Sequence, residues 1–165
     1  MKMNSERSAI VGCAFTGHRE LDGIQYATLR DLLGRAIAYA YQNGCRTFFN
    51  GGALGFDLEA AEQVILFRHR HPDVRLIMIL PCPEQADRWS ESQRFRYENL
   101  LRAADEVVYI SDRYSSSCMQ KRNEELVRRA DMLVAYLGHA RSGAAQTVAM
   151  AKRKGIPVYN LYGKQ

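Results

Sequence analysis

Residues 74–80 read VRLIMIL, a run whose one polar member is Arg75, closed by Pro81. So apolar a run fits a strand covered on both faces, and seven residues are too few for a buried helix. Similar runs recur at AIVGCAF (9–15), RTFFN (46–50), EVVYI (106–110), DMLVAYL (131–137) and IPVYNL (156–161). Helical patterns fill the gaps. Residues 25–44 place Leu29, Leu32, Leu33, Ala36, Ile37 and Ala40 at helical spacing and stop at Asn43-Gly44. Residues 57–70 form a second pattern, with Asp57 as its expected N-cap. The segment 84–104 reads as helix in two pieces, with Ser90 and Gln93 as a capping box and Tyr97, Leu100, Leu101 and Ala104 on one face. Residues 119–130 and 144–155 complete the set. Buried strands alternating with helices, joined by right-handed crossovers, predict an α/β fold. It is a single doubly wound, Rossmann-like domain over 1–165, with a mostly parallel sheet of about six strands flanked by helices.

Composition narrows the class without naming a function. The chain has 165 residues, 47% apolar and 25% charged, as in ordinary globular proteins. Its formal charge of +5 favours phosphate-bearing partners. Cys13, Cys45, Cys82 and Cys118 lie far apart with no CxxC pair, so no metal site and no disulfide framework is expected. No stretch approaches the roughly 18 apolar residues of a membrane span. With no signal-peptide pattern at the start, the expectation is a reduced, cytoplasmic protein without a membrane partner.

In such a sheet ligands sit beyond the carboxyl ends of the strands, which directs attention to five loops. NGGALGFD (50–57) sets Gly51, Gly52 and Gly55 between a strand and a helix, where backbone N–H groups can approach a phosphate. The spacing matches neither GxGxxG nor a P-loop. Asp57 caps its helix or accepts hydrogen bonds from a ribose or base; its charge places it away from any phosphate. TGHRE (16–20) brings Gly17, His18 as donor or proton carrier, and Arg19 as a bidentate phosphate partner. SGAAQT (142–147) opens the last helix with Ser142, Gly143 and Thr147. SDRYSSSC (111–118) leads to Cys118, whose thiolate would be stabilised at a helix start; Arg122 and Asn123 follow at the pocket edge or as a loop brace. The fifth loop, PCPEQ (81–85), offers least. Trp89, Phe95 and Tyr97 read as core or oligomer surface before a base-stacking platform. The pairs and runs Arg128-Arg129 and Lys152-Arg153-Lys154 read as solvated faces.

Taken in order, CAFTGHRE, NGGALGFD, YSSSCMQKRN, SGAAQT and VAMAKRKGIPV resemble the YpsA-like family of the SLOG superfamily, over roughly 10–161. The resemblance implies a Rossmann-like domain that binds a nucleotide or nucleotide derivative, with ADP-ribose-like molecules among the expected ligands. Carried over by motif, the binding positions are Gly17, His18, Arg19, Gly51, Gly52, Gly55, Asp57, Ser142, Gly143 and Thr147, with Cys118, Arg122 and Asn123 less defined. Other branches include the DprA proteins, which bind single-stranded DNA, and the Lonely Guy phosphoribohydrolases, which release a base from a nucleoside monophosphate. Relatives commonly self-associate, and 91–104 is the expected interface of a homo-oligomer. Ala144 stands where relatives place a threonine or glycine after Gly143. The PGGxGTxxE signature of the phosphoribohydrolases, with its catalytic glutamate, is absent from SGAAQTVAM. The favoured expectation is thus a module binding or sensing a small nucleotide-derived ligand, with no other cofactor implied. An enzyme cleaving an N-glycosidic or phosphate bond, with His18 or Asp57 as catalytic group, is the first alternative. Single-stranded nucleic-acid binding is the second.

Overall fold

A computed structural model describes residues 11–138 and 142–164. Six strands and five helices alternate: β1 Gly12–Gly17, α1 Tyr26–Gln42, β2 Thr47–Asn50, α2 Phe56–Arg70, β3 Arg75–Leu80, α3 Glu91–Ala103, β4 Glu106–Tyr109, α4 Cys118–Arg129, β5 Met132–Tyr136, α5 Gly143–Lys154 and β6 Val158–Asn160. All pairings are parallel, in the order β4-β3-β2-β1-β5-β6. Every strand expected from the sequence is present, and every helix but the first piece of 84–104, most with bounds moved by a residue or two. The first strand was expected from residue 9, and residues 9 and 10 lie outside the described residues. The segment 84–104 yields one helix, its earlier piece being a succession of turns. No helix among the described residues is long and apolar enough to cross a membrane.

Alternate strand residues feed two cores, as the period of two requires. Cys13, Phe15, Phe48, Leu76, Met78 and Val134 pack with buried residues of α1, α2 and α3 on one face. Ala14, Phe49, Ile77, Ile79, Leu133 and Ala135 pack with α4 and α5 on the other. Covered on both sides, the central strands carry no solvated face, which is why they read as unbroken apolar runs.

Caps fix the helix ends. Ser90 Oγ accepts from Gln93 N (3.2 Å) and Gln93 Oε1 accepts from Ser90 N (2.9 Å), forming the expected capping box. Lys154 is exposed, as expected, and has a further role. Its Nζ donates to the carbonyls of Val127, Arg128 and Ala130 at 2.7–2.9 Å, satisfying the end of the neighbouring helix α4. Tyr97 is buried, with Trp89 edge-on to it at 5.1 Å, while Phe95 stands 63% exposed on α3.

Candidate functional site

Strand order reverses between β1 and β5: β2, β3 and β4 extend to one side and β6 to the other. The chain leaves the carboxyl ends of two such strands in opposite directions, and a crevice opens between. Here it is a cleft of about 590 Å³, a usual size for a small-molecule site. Gly17, His18 and Arg19 line it from the end of β1, Asp57 from α2, Met119, Arg122 and Asn123 from α4, Tyr136 from β5, and Ser142, Gly143 and Ala144 from the start of α5.

His18 stitches this junction together. Its backbone N–H donates to Tyr136 O (3.2 Å), and its carbonyl accepts from Phe56 N (3.1 Å). Its Nε2 accepts from Gly138 N (2.8 Å), which assigns the ring's proton to Nδ1 and makes the imidazole neutral. A base acting through Nε2 would first have to give up this bond.

Asp57 is the second residue of α2 rather than its N-cap, which is Gly55. Gly55 takes φ +81°, and a Cβ there would collide with the carbonyl of Arg19. Asp57 is 5% exposed. Its Oδ2 accepts from Ala53 N at 3.2 Å, and its Oδ1 is the single buried side-chain polar atom without a hydrogen bond among the described residues. Burial pushes its pKa up to about 6, against the pull of Arg122, the Ala53 bond and Arg19.

Arg122 is equally buried. Nη1 donates to Gly51 O (2.6 Å) and Gln85 Oε1 (3.2 Å), and Nε to Asn123 Oδ1 (2.7 Å). These acceptors are neutral, and no ion pair holds the guanidinium among the described residues. Desolvation lowers its pKa, with Asp57 working in the opposite sense. The cleft thus has a buried cation and a buried carboxylate in its wall, neither paired within 4 Å. Exposed Arg19 adds a second cation at the mouth.

The two glycine-containing helix starts behave differently. In NGGALGFD the backbone is occupied: Gly52 N donates to Asn50 Oδ1 (2.8 Å) and Ala53 N to Asp57. Gly51 leaves room for Arg122, and Gly52, at φ +68°, packs against Leu80, Met78 and Tyr97. Neither lines the cleft. In this arrangement Gly51 and Gly52 serve close packing of the loop. At α5, Ser142 Oγ caps Ala145 N (3.1 Å), while the N–H groups of Gly143 and Ala144 carry no hydrogen bond among the described residues. That helix start leaves its first N–H groups open, the arrangement an anion would require. Thr147 is fully buried, its Oγ1 donating to Gly143 O (2.9 Å), so it supports the helix start from behind. Residues 139–141 of the same loop lie outside the described residues. Cys118 is fully buried and does not line the cleft.

A second cleft of about 400 Å³ lies beyond Arg19, lined by Gly55, Tyr26, Glu59 and Arg96 among others. Its buried acid is already committed: Glu59 meets Arg30 at 3.0 Å and Arg96 at 2.8 Å. No cluster of three metal-binding side chains occurs among the described residues.

A family model described as the YspA SLOG family matches residues 13–156. The chain belongs to this family. It is 30% identical over 118 residues to the uncharacterized SPbeta prophage-derived protein YoqJ of Bacillus subtilis, covering 64% of this chain and 69% of that one. A UPF0398 protein of Bacillus cereus is 31% identical over 138 residues, covering 81% and 75%. Among solved structures, DNA processing protein A of Helicobacter pylori, described for its single-stranded DNA binding mode, superposes with a TM-score of 0.62 at 18% identity. That match covers 91% of this chain and 64% of the other, and it concerns the fold. For this SLOG chain, the motif-based set contributes Gly17, His18, Arg19, Asp57, Ser142, Gly143, Arg122 and Asn123 to the cleft lining. Gly51, Gly52, Thr147 and Cys118 stand outside it, and Gly55 lines the second cleft. Sequence reasoning passed over Tyr136 and Tyr162, two aromatic residues of the lining. The signal for Tyr136 was its place at the carboxyl end of a central strand.

Proposed function

We propose that the cleft binds a nucleotide or nucleotide-derived small molecule of the ADP-ribose type. The observation that carries this reading is the unpartnered Oδ1 of buried Asp57 in the lining of the cleft. A buried acceptor left open costs free energy unless a ligand donor meets it. Ribose hydroxyls are such donors. The N–H groups opening α5, with Arg19 at the mouth, suit the phosphate, and they enter the cleft from a different element than Asp57. One acceptor and one anion position in a single cleft match the two polar ends of a nucleotide.

Thermal unfolding with AMP, ADP-ribose, NAD and a short single-stranded oligonucleotide tests the reading. A ligand at 100 times its Kd adds about 2.7 kcal/mol, which raises the Tm of a domain this size by roughly 5–10 °C. The expected result is a shift with a mononucleotide-sized ligand that Asp57→Asn removes. A shift with the oligonucleotide alone, fading steeply with salt, would overturn the reading in favour of strand binding.

The pKa of Asp57, about 6, also favours a second reading, hydrolysis of the N-glycosidic bond. Water would add to the anomeric carbon as the C–N bond breaks; the carboxyl would give its proton to the departing base and take one back from the added water. Release of free adenine from AMP, lost in Asp57→Asn, would decide for it; intact AMP after prolonged incubation would decide against it.

A further inference from the structure

The segment after β6 is held at several points. Leu161 is buried and its N–H donates to Ala135 O (2.8 Å). Asn160 clamps the segment to the loop after β5: Oδ1 accepts from Leu137 N and from Tyr162 N, both at 3.1 Å, and Nδ2 donates to Leu137 O (2.9 Å). What this clamp presents is the ring of Tyr162, 47% exposed, which lines the cleft and meets Tyr136 edge-on at 5.2 Å. Tyr136 stacks in turn on Phe56 at 5.9 Å. Gly138 makes room for this arrangement: a Cβ there would overlap the Tyr162 ring, and its φ is not among the positive ones. The glycine is needed for space rather than for backbone conformation.

A large aromatic face kept half exposed, on a backbone bonded at several points, has less freedom left to lose when a ligand arrives. Such a face at the mouth of a polar cleft is suited to a flat, uncharged ring system. We propose that Tyr162 is the stacking platform for the ligand's base, so that the site selects base-bearing nucleotides over sugar phosphates. Stacking reads the flat face of a ring and little else, so purines gain most by area while no single base is specified. This inference rests on the nucleotide reading above and assigns a specificity residue to it.

AMP and ribose 5-phosphate differ only in the base, and calorimetric titration of both against the full chain provides the test. The wild type is expected to bind AMP at least about 10-fold more tightly, as base–aromatic stacking provides. Tyr162→Ala should erase that preference while leaving ribose 5-phosphate affinity within about twofold. Tyr162→Phe should keep it, since the ring is retained. Gly138→Ala, which pushes the ring from its place without removing it, should reproduce the loss. Equal affinity of the wild type for the two compounds, or a preference surviving Tyr162→Ala, would overturn the inference and leave the nucleotide-phosphate site standing. A wild type that binds neither compound would overturn both. A Tm of each variant close to that of the wild type separates loss of stacking from loss of fold.

Discussion

Asp57 holds a buried carboxylate where the fold gains nothing from its charge. Its pKa of about 6 stands above the ordinary 3.8 of the unfolded chain, so the folded state binds the proton more tightly. Stability is therefore fullest below pH about 4 and falls as pH rises through 6. Two pH units at 1.36 kcal/mol each give a cost of about 3 kcal/mol at pH 7. Urea unfolding between pH 4 and 7 should show this slope in the wild type and a flatter, higher profile in Asp57→Asn. On the proposed reading, the variant that loses binding would then be the more stable one, as expected where a residue is kept for its ligand. A ribose hydroxyl donating to Oδ1 prefers the ionised acid, so AMP affinity should rise with pH across the same window. Gly55 makes the contrasting case. Its φ of +81° and the carbonyl of Arg19 against it leave no place for a side chain. Gly55→Ala should cost at least about 2 kcal/mol with or without ligand, measured by the same unfolding.

Helix ends carry identifiable increments at the next scale up. Ser90→Ala removes half of the capping box on α3 and should cost about 1 kcal/mol. Lys154→Met should cost about as much, because three carbonyls at the end of α4 lose their donor. The first of these was readable in the sequence and the second was not, for a physical reason. A capping box closes within four residues, whereas Lys154 serves a helix that ended some 25 residues earlier. The same distinction runs through the site. Strand and helix order was legible because burial on both faces writes itself into local apolar runs such as VRLIMIL. His18, Arg19 and Asp57 were legible because loops at the carboxyl ends of strands must meet. The reasons for the glycines were hidden, since what crowds each one comes from far along the chain: Arg122 at Gly51, Arg19 at Gly55, Tyr162 at Gly138. Tyr162 itself was passed over, because nothing local distinguishes a tail tyrosine that returns to the cleft from one left in solvent.

For the whole molecule, the reversal of strand order sets where the cleft lies and which segments must assemble before it exists. β1 pairs with β2 on one edge and with β5 on the other, and Cys13 meets Met132 in that second pairing. The cleft takes its lining from segments far apart in sequence, from Thr16 to Tyr162. On a ribosome this ordering becomes a delay. At roughly 5–20 residues per second, β5 emerges some 6–24 s after β1. During that interval the nascent chain gains β2, β3 and β4 in turn while the inner edge of β1 stays uncovered, an open template for foreign strands. Residues 12–17 are therefore where a chaperone would be most useful during synthesis, until β5 arrives to cover that edge.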